Sequence, residues 1–166
     1  MNSANYGAYY RRQLDDAQAF QDYIARQLLR EGIVLVNFQS RASQLQWGEN
    51  TMGIEIKFDR QFATTGNLWI EVCEKGNPTR AAYVDSGINR PDNAWLLGIG
   101  NHREFFIFST RTLQLEVAPP CTCRPRRLLI ENNTRTSRGF LLPRRDIASL
   151  AERCFIFAER EPGEDG

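Results

Sequence analysis

A mixed α+β domain, α/β in the broad sense, is what this sequence predicts, and three observations carry the expectation. Residues 14–30 have helical periodicity, a series of short runs after residue 32 has the alternation or β-branched content of strands, and a second helical pattern closes the chain. The order is one helix, several strands, then a helix, without strict strand–helix alternation.

The first helix is read from Ala17, Phe20, Ile24 and Leu28, spaced by three and four, with Asp15 and Asp16 near its start and Gly32 just past its end. Residues 33–38 (IVLVNF) form a short apolar, β-branched run and predict a buried strand. Polar residues 39–46 make a connection. Residues 52–59 then alternate: Met52, Ile54, Ile56 and Phe58 are apolar, whereas Glu55, Lys57 and Asp59 are charged. Gly66 and Asn67 supply turn chemistry before LWIEVCEK, where Leu68, Ile70 and Val72 share one face. A long-looped hairpin of these two strands is expected. AWLLGIG and EFFIFST predict two buried strands joined by a turn at residues 100–103. CTCRPRR is too rich in Pro and Arg for a regular element, LLIE is a short strand candidate, and TSRGF reads as a loop. Pro143 suits the first turn of a helix, which DIASLAERCFIFAE continues at helical spacing.

Composition sets the outer bounds. With 166 residues, 42% apolar and 25% charged, one globular domain over residues 14–159 is expected, between a flexible N-terminus (1–13) and a flexible acidic tail (160–166). No window approaches the roughly 18 apolar residues of a membrane helix. The N-terminal MNSANYGAYYRR lacks the apolar core of a secretory signal, so a cytoplasmic protein with no membrane partner is expected. Scattered Cys73, Cys121, Cys123 and Cys154 suit free thiols, and with His102 the single histidine, four zinc ligands are hard to assemble. A net charge of +1 excludes bulk attraction to nucleic acid, so any such contact must come from local patches. Of the basic residues nineteen are Arg and two, Lys57 and Lys75, are Lys, which draws attention to positions that keep an ammonium.

Chemistry gathers around GENTMGIEIKFDR, residues 48–60. Two apart on a strand, Glu55 and Lys57 project to one face about 7 Å apart along the backbone. They supply a hard oxygen ligand and a cation, the pair that metal-assisted phosphodiester hydrolysis requires. Glu49 lies six residues before Glu55, and a tight connection through Asn50 and Thr51 would bring its carboxylate to the same metal. Glu71, on the expected partner strand, can face Glu55 or Lys57, either as an accessory acid or as a cross-strand ion pair. Asp59 is a further candidate acid, with pairing to Arg60 or capping of the turn as its structural alternative.

Glu49 followed by Glu55-Ile56-Lys57 resembles the PD-(D/E)XK nuclease superfamily, of phage and bacterial type. EIKFD before TGNLWIE, then Ser86 to Ile88 with Asp92 and Trp95, and lastly TSRGFLLP extend the resemblance over residues 14–158. It implies a restriction-endonuclease-like fold, a mixed central β-sheet flanked by helices. It further implies a Mg²⁺- or Mn²⁺-dependent nuclease with DNA as partner and a homodimer as one assembly. Glu49 and Glu55 would be metal ligands and Lys57 would sit near the nucleophilic water. Glu stands here at the first site, where the superfamily usually has Asp. Similar enzymes draw an acid from the first helix, for which Asp22, Asp15 and Asp16 are candidates.

Arg124, Arg126 and Arg127, with Arg135, Arg138, Arg144 and Arg145, form the densest basic stretch and are candidate phosphate contacts, as is Ser137 beside Arg138. The same arginines can instead pair with the chain's acids. Two readings compete with an active nuclease: a nuclease-like domain without catalysis that binds DNA or protein, and an α+β protein whose charged strand is merely its wet face.

Overall fold

The computed structural model describes residues 3–38, 40–47, 49–117 and 126–157, the side chains of 3–14, 41, 45 and 47 excepted. The chain is a mixed α+β fold with two four-stranded sheets. The first has the order β1-β4-β5-β8, built from Ile54–Phe58 (β1), Leu96–Gly100 (β4), Glu104–Ser109 (β5) and Arg153–Ile156 (β8). β1 runs parallel to β4, and the other pairings are antiparallel, so this sheet is mixed. The second is wholly antiparallel, β3-β2-β7-β6, built from Asn67–Glu74 (β2), Val84–Asp85 (β3), Ile130–Glu131 (β6) and Ser137–Pro143 (β7).

The first sheet is covered on both faces. On one side Phe20, Ile24 and Leu28 of α1 (Ser3–Arg30) pack against Ile54, Ile56, Leu96, Phe105 and Ile107. Each such side chain, when fully buried, contributes about 1.5–3 kcal/mol. On the other side Leu97, Ile99, Phe106 and Phe108 meet Leu68, Ile70 and Val72 of β2 and Phe140 and Leu142 of β7. Period-two alternation along β4 and β5 explains this division, since successive residues serve opposite cores. Three further helices, α2 (Arg41–Trp47), α3 (Phe62–Thr65) and α4 (Thr110–Val117), fill connections, and α5 (Arg144–Leu150) follows β7.

Several elements differ from the sequence-based expectation. α1 begins at Ser3, well before residue 14, so Asp15 and Asp16 lie inside it and do not cap it. Residues 33–38 form no full strand; a single bridge joins Asn37 to Asn50, while Ile33 and Leu35 still pack on the core. The expected hairpin is absent: β1 and β2 belong to different sheets, and β1 takes β4 as its parallel partner. TSRGF is mostly strand, not loop, because Gly139 lets β7 close on β2; a Cβ there would lie 2.1 Å from the Ile70 carbonyl oxygen. The last helix stops at Leu150, and the continuous apolar run 154–157 contributes instead to β8 on the open edge of β5. Pro143 closes β7 and caps α5. No helix among the described residues is long and apolar enough to cross a membrane.

Candidate active site

The site begins at the turn that launches β1. Asn50, 1% exposed, closes it with its own side chain: Nδ2 donates to the Ile54 carbonyl at 2.6 Å, and Oδ1 accepts from the Met52 and Ile54 amides at 3.1 Å. Gly53 supplies the left-handed residue this turn needs (φ 62°), and the Trp95 ring lies so close over it that a Cβ would clash at 2.6 Å. The Phe38 amide donates to the Glu49 carbonyl at 2.9 Å, so Glu49 is fixed at the head of β1, as its short spacing from Glu55 predicts.

Glu55 and Lys57 leave β1 on the face shared with their β4 register partners Leu97 and Ile99, toward the second sheet. That face is not simply wet. Glu55 is 3% exposed, while Lys57 reaches outward, its Nζ 2.7 Å from Glu55 Oε1. Desolvation pulls the Lys57 pKa down and is the largest single influence, with the Arg90 charge a small addition; the charge and hydrogen bond of Glu55 and the charge of Glu49 together outweigh them, and the net shift is upward from the ordinary 10.5. Lys57 is therefore an ammonium at neutral pH and acts as a cation, not a free-amine base.

Between these acids lies a residue the sequence did not single out. After β3, Ser86 leads into a 3₁₀ turn, Gly87–Asn89, pinned by buried Ile88 and by Gln114, whose Nε2 donates to the Ile88 carbonyl at 2.8 Å. Arg90 follows. One Nη lies 3.1 Å from Glu49 Oε1, the other 3.3 Å from Glu55 Oε1, and Nε bonds Asp92 Oδ2. The Asp92 Oδ1 accepts from the Ala94 amide at 3.0 Å, which holds the acceptor in place. Burial opposes the charge on Arg90, but Glu55, Asp92 and Glu49 raise its pKa well above the ordinary value. Its position between the motif pieces Ser86–Ile88 and Asp92 was the sole sequence signal available.

The donor chemistry suits a hard divalent ion. Glu49 and Glu55 converge on one cationic point, and Glu55 Oε1 is buried with charge contacts to Lys57 and Arg90. Among the described residues no three His, Cys, Asp or Glu side chains gather closely enough to hold a metal, so a metal here would rest on two carboxylates. Mg²⁺ is commonly held by one or two carboxylates while keeping several waters. The guanidinium of Arg90 lies between the two carboxylates.

Fold and site together define an α+β protein with a buried carboxylate–ammonium pair bridged by an arginine to a second acid. No protein-family model matches the chain, and neither does any curated protein or solved structure.

The remaining candidates fall in other places. Glu71 lines the same groove as Lys57, a cleft of about 690 Å³ between the sheets that Asp59 and Trp69 also border, but its carboxylate accepts from Ser86 Oγ at 2.7 Å. The expected Lys57–Glu71 cross-strand pair is replaced by Lys57–Glu55 because β1 and β2 are not paired. Asp59 is a cap: Oδ1 accepts from the Gln61 and Phe62 amides at 2.9 and 3.0 Å, and Oδ2 from the Trp69 amide at 3.0 Å. Arg60 pairs with Asp16 of α1. Asp22 is exposed on α1 and accepts from Gln18 Nε2 at 3.1 Å.

Arg126, Arg127, Arg138, Arg144 and Arg145 of the basic stretch are engaged in ion pairs. Arg126 and Arg127 both pair with Glu116, at 3.1 and 2.9 Å, and Arg127 also with Asp146 at 2.8 Å. Arg138 pairs with Glu131 at 3.3 Å and covers the Tyr83 ring, while Ser137 is buried in β7. Arg124, Cys121 and Cys123 lie outside the described residues. Cys73 and Cys154 are free thiols. His102 lies in its turn with its ring against Phe20, Tyr23 and Phe58.

Proposed function

We propose that the chain is a divalent-metal-dependent nuclease of the restriction-endonuclease-like type that hydrolyses phosphodiester bonds in DNA. One observation supports this best: Glu49 and Glu55 converge on a single positive centre with the Lys57 ammonium 2.7 Å from Glu55. When bound, Mg²⁺ or Mn²⁺ would supply Lewis acidity and an activated water. Glu49 and Glu55 would hold it, and protonated Lys57 would stabilise charge developing on the phosphoryl group. A cytoplasmic setting and a homodimer are the accompanying proposals.

The test is incubation of purified protein with mixed circular and linear DNA, with and without Mg²⁺. Cleavage should require the metal and vanish in Glu55→Ala and Lys57→Ala while their circular dichroism stays native. Full activity in both variants would remove the site assignment.

A second reading is favoured by Arg90 itself, which satisfies both acids without any metal. In that reading the chain is a nuclease-like domain without catalysis, serving as a DNA-binding or protein-interaction module. Absence of any Mg²⁺- or Mn²⁺-induced thermal shift, in the natural chain and in Glu49 and Glu55 variants alike, selects it.

A further inference from the structure

We propose that Arg90 is an exchangeable internal cation: its guanidinium holds Glu49 and Glu55 together in the metal-free chain, and a divalent ion takes its place. The inference rests on the metal-dependent reading above and adds to it an order of events.

Its basis is the unequal quality of the three contacts. Toward Glu49 (3.1 Å) and toward Asp92 the guanidinium makes directed hydrogen bonds. Toward Glu55 it makes only a charge contact of 3.3 Å, to the oxygen that the Lys57 Nζ approaches at 2.7 Å. The weakest grip is thus on the most buried acid, where an ion able to order its ligands gains most. Asp92, two residues along the same loop and held in place by the Ala94 amide, keeps its bond to Nε while the two Nη groups turn away, so displacement need not strand a naked guanidinium. Arg90 is 37% exposed, which leaves it a route outward.

Charge accounting gives the exchange a consequence. With Asp92 assigned to Arg90 as a neutral pair after release, Glu49, Glu55 and Lys57 sum to −1 and a divalent ion brings the site to +1. Before exchange, Arg90 and Lys57 against Glu49, Glu55 and Asp92 leave −1, which repels a phosphodiester. Metal entry therefore precedes polyanion entry. The released guanidinium is then of the type that grips phosphate in a bidentate fork.

Calorimetric titration of MnCl₂ and MgCl₂ into the full chain, without DNA, tests this in Arg90→Gln, Arg90→Lys and the natural protein. Arg90→Gln should melt lower in EDTA, gain a larger metal-induced rise in Tm, and bind metal at least about tenfold more tightly, because a charge-assisted contact no longer has to be broken. Arg90→Lys should fall between the two. A merely supporting Arg90 predicts the reverse order, so equal or weaker metal binding by Arg90→Gln overturns the inference while leaving the metal site standing. No binding by any of the three overturns both. Should Arg90→Gln fail to fold, the Nη–H resonances of Arg90 in the natural chain decide: they must move on saturation with Mg²⁺, and unmoved resonances overturn the exchange.

Discussion

Lys57 and Glu55, two positions apart on β1, are joined at 2.7 Å across a steep change in exposure, from 46% for the lysine side chain to 3% for the glutamate side chain. A buried carboxylate with no partner would be strongly destabilising. Here the ammonium above it and the guanidinium beside it offset that cost. This relationship links the stability of the edge strand to the chemistry proposed for it.

The first prediction concerns pH. The Lys57 pKa is raised on folding, so its stabilisation is complete below its ordinary value and is lost as pH rises through the higher folded value. The Tm difference between the natural chain and Lys57→Met should hold steady from pH 7 to about pH 10 and shrink at higher pH. A difference that widens in alkali would contradict the pairing.

Asp59 is expected to be a scaffold residue. Asp59→Ala deprives three backbone amides of their acceptor and should cost about 2–3 kcal/mol in urea unfolding. Its metal affinity, measured by calorimetry, should be unchanged; an intact stability with lost metal binding would make Asp59 a ligand after all.

Gly87 should resist substitution. Its φ is 51°, and a Cβ would lie 2.3 Å from the Glu71 carbonyl oxygen, so alanine both strains the backbone and pushes the 3₁₀ turn off β2. Gly87→Ala should lose about 2–3 kcal/mol and disturb Arg90, the residue this turn delivers. Gly76→Ala, with nothing nearer than Arg80 at 3.6 Å, should stay within about 0.5 kcal/mol, and equal effects at the two sites would undo the account.

Arg127 separates a fold role from a DNA role. It is 17% exposed and bonds both Glu116, nearly buried, and Asp146, so Arg127→Ala should cost about 3 kcal/mol by leaving an acid poorly paired. The slope of DNA affinity against salt should not change. A slope reduced by about one unit would identify Arg127 as a phosphate contact.

The sequence showed local order wherever near neighbours encode it. Phe20, Ile24 and Leu28 repeat at helical spacing and form the buried stripe of α1; Ile54 and Ile56 alternate with Glu55 and Lys57 and do lie on opposite faces of β1. Asn50 and Thr51 were legible as a tight connection that returns Glu49 toward Glu55. In the run 154–157 the pattern fails, because four consecutive apolar residues fit a buried helix or a strand equally well and the vacant edge of β5 chose the strand.

By itself the sequence determined the α+β class, the position of β1 and the presence of an acid and an amine on one of its faces, all properties of residues close together in the chain. Tertiary structure alone decided that β1 would lie beside β4 and not β2, that the charged face would be covered by a second sheet, and that Arg90 would reach between Glu49 and Glu55. The physical reason is that strand partnership and charge convergence are set by which apolar surfaces can be buried together, a balance over the whole fold that no short window of residues contains.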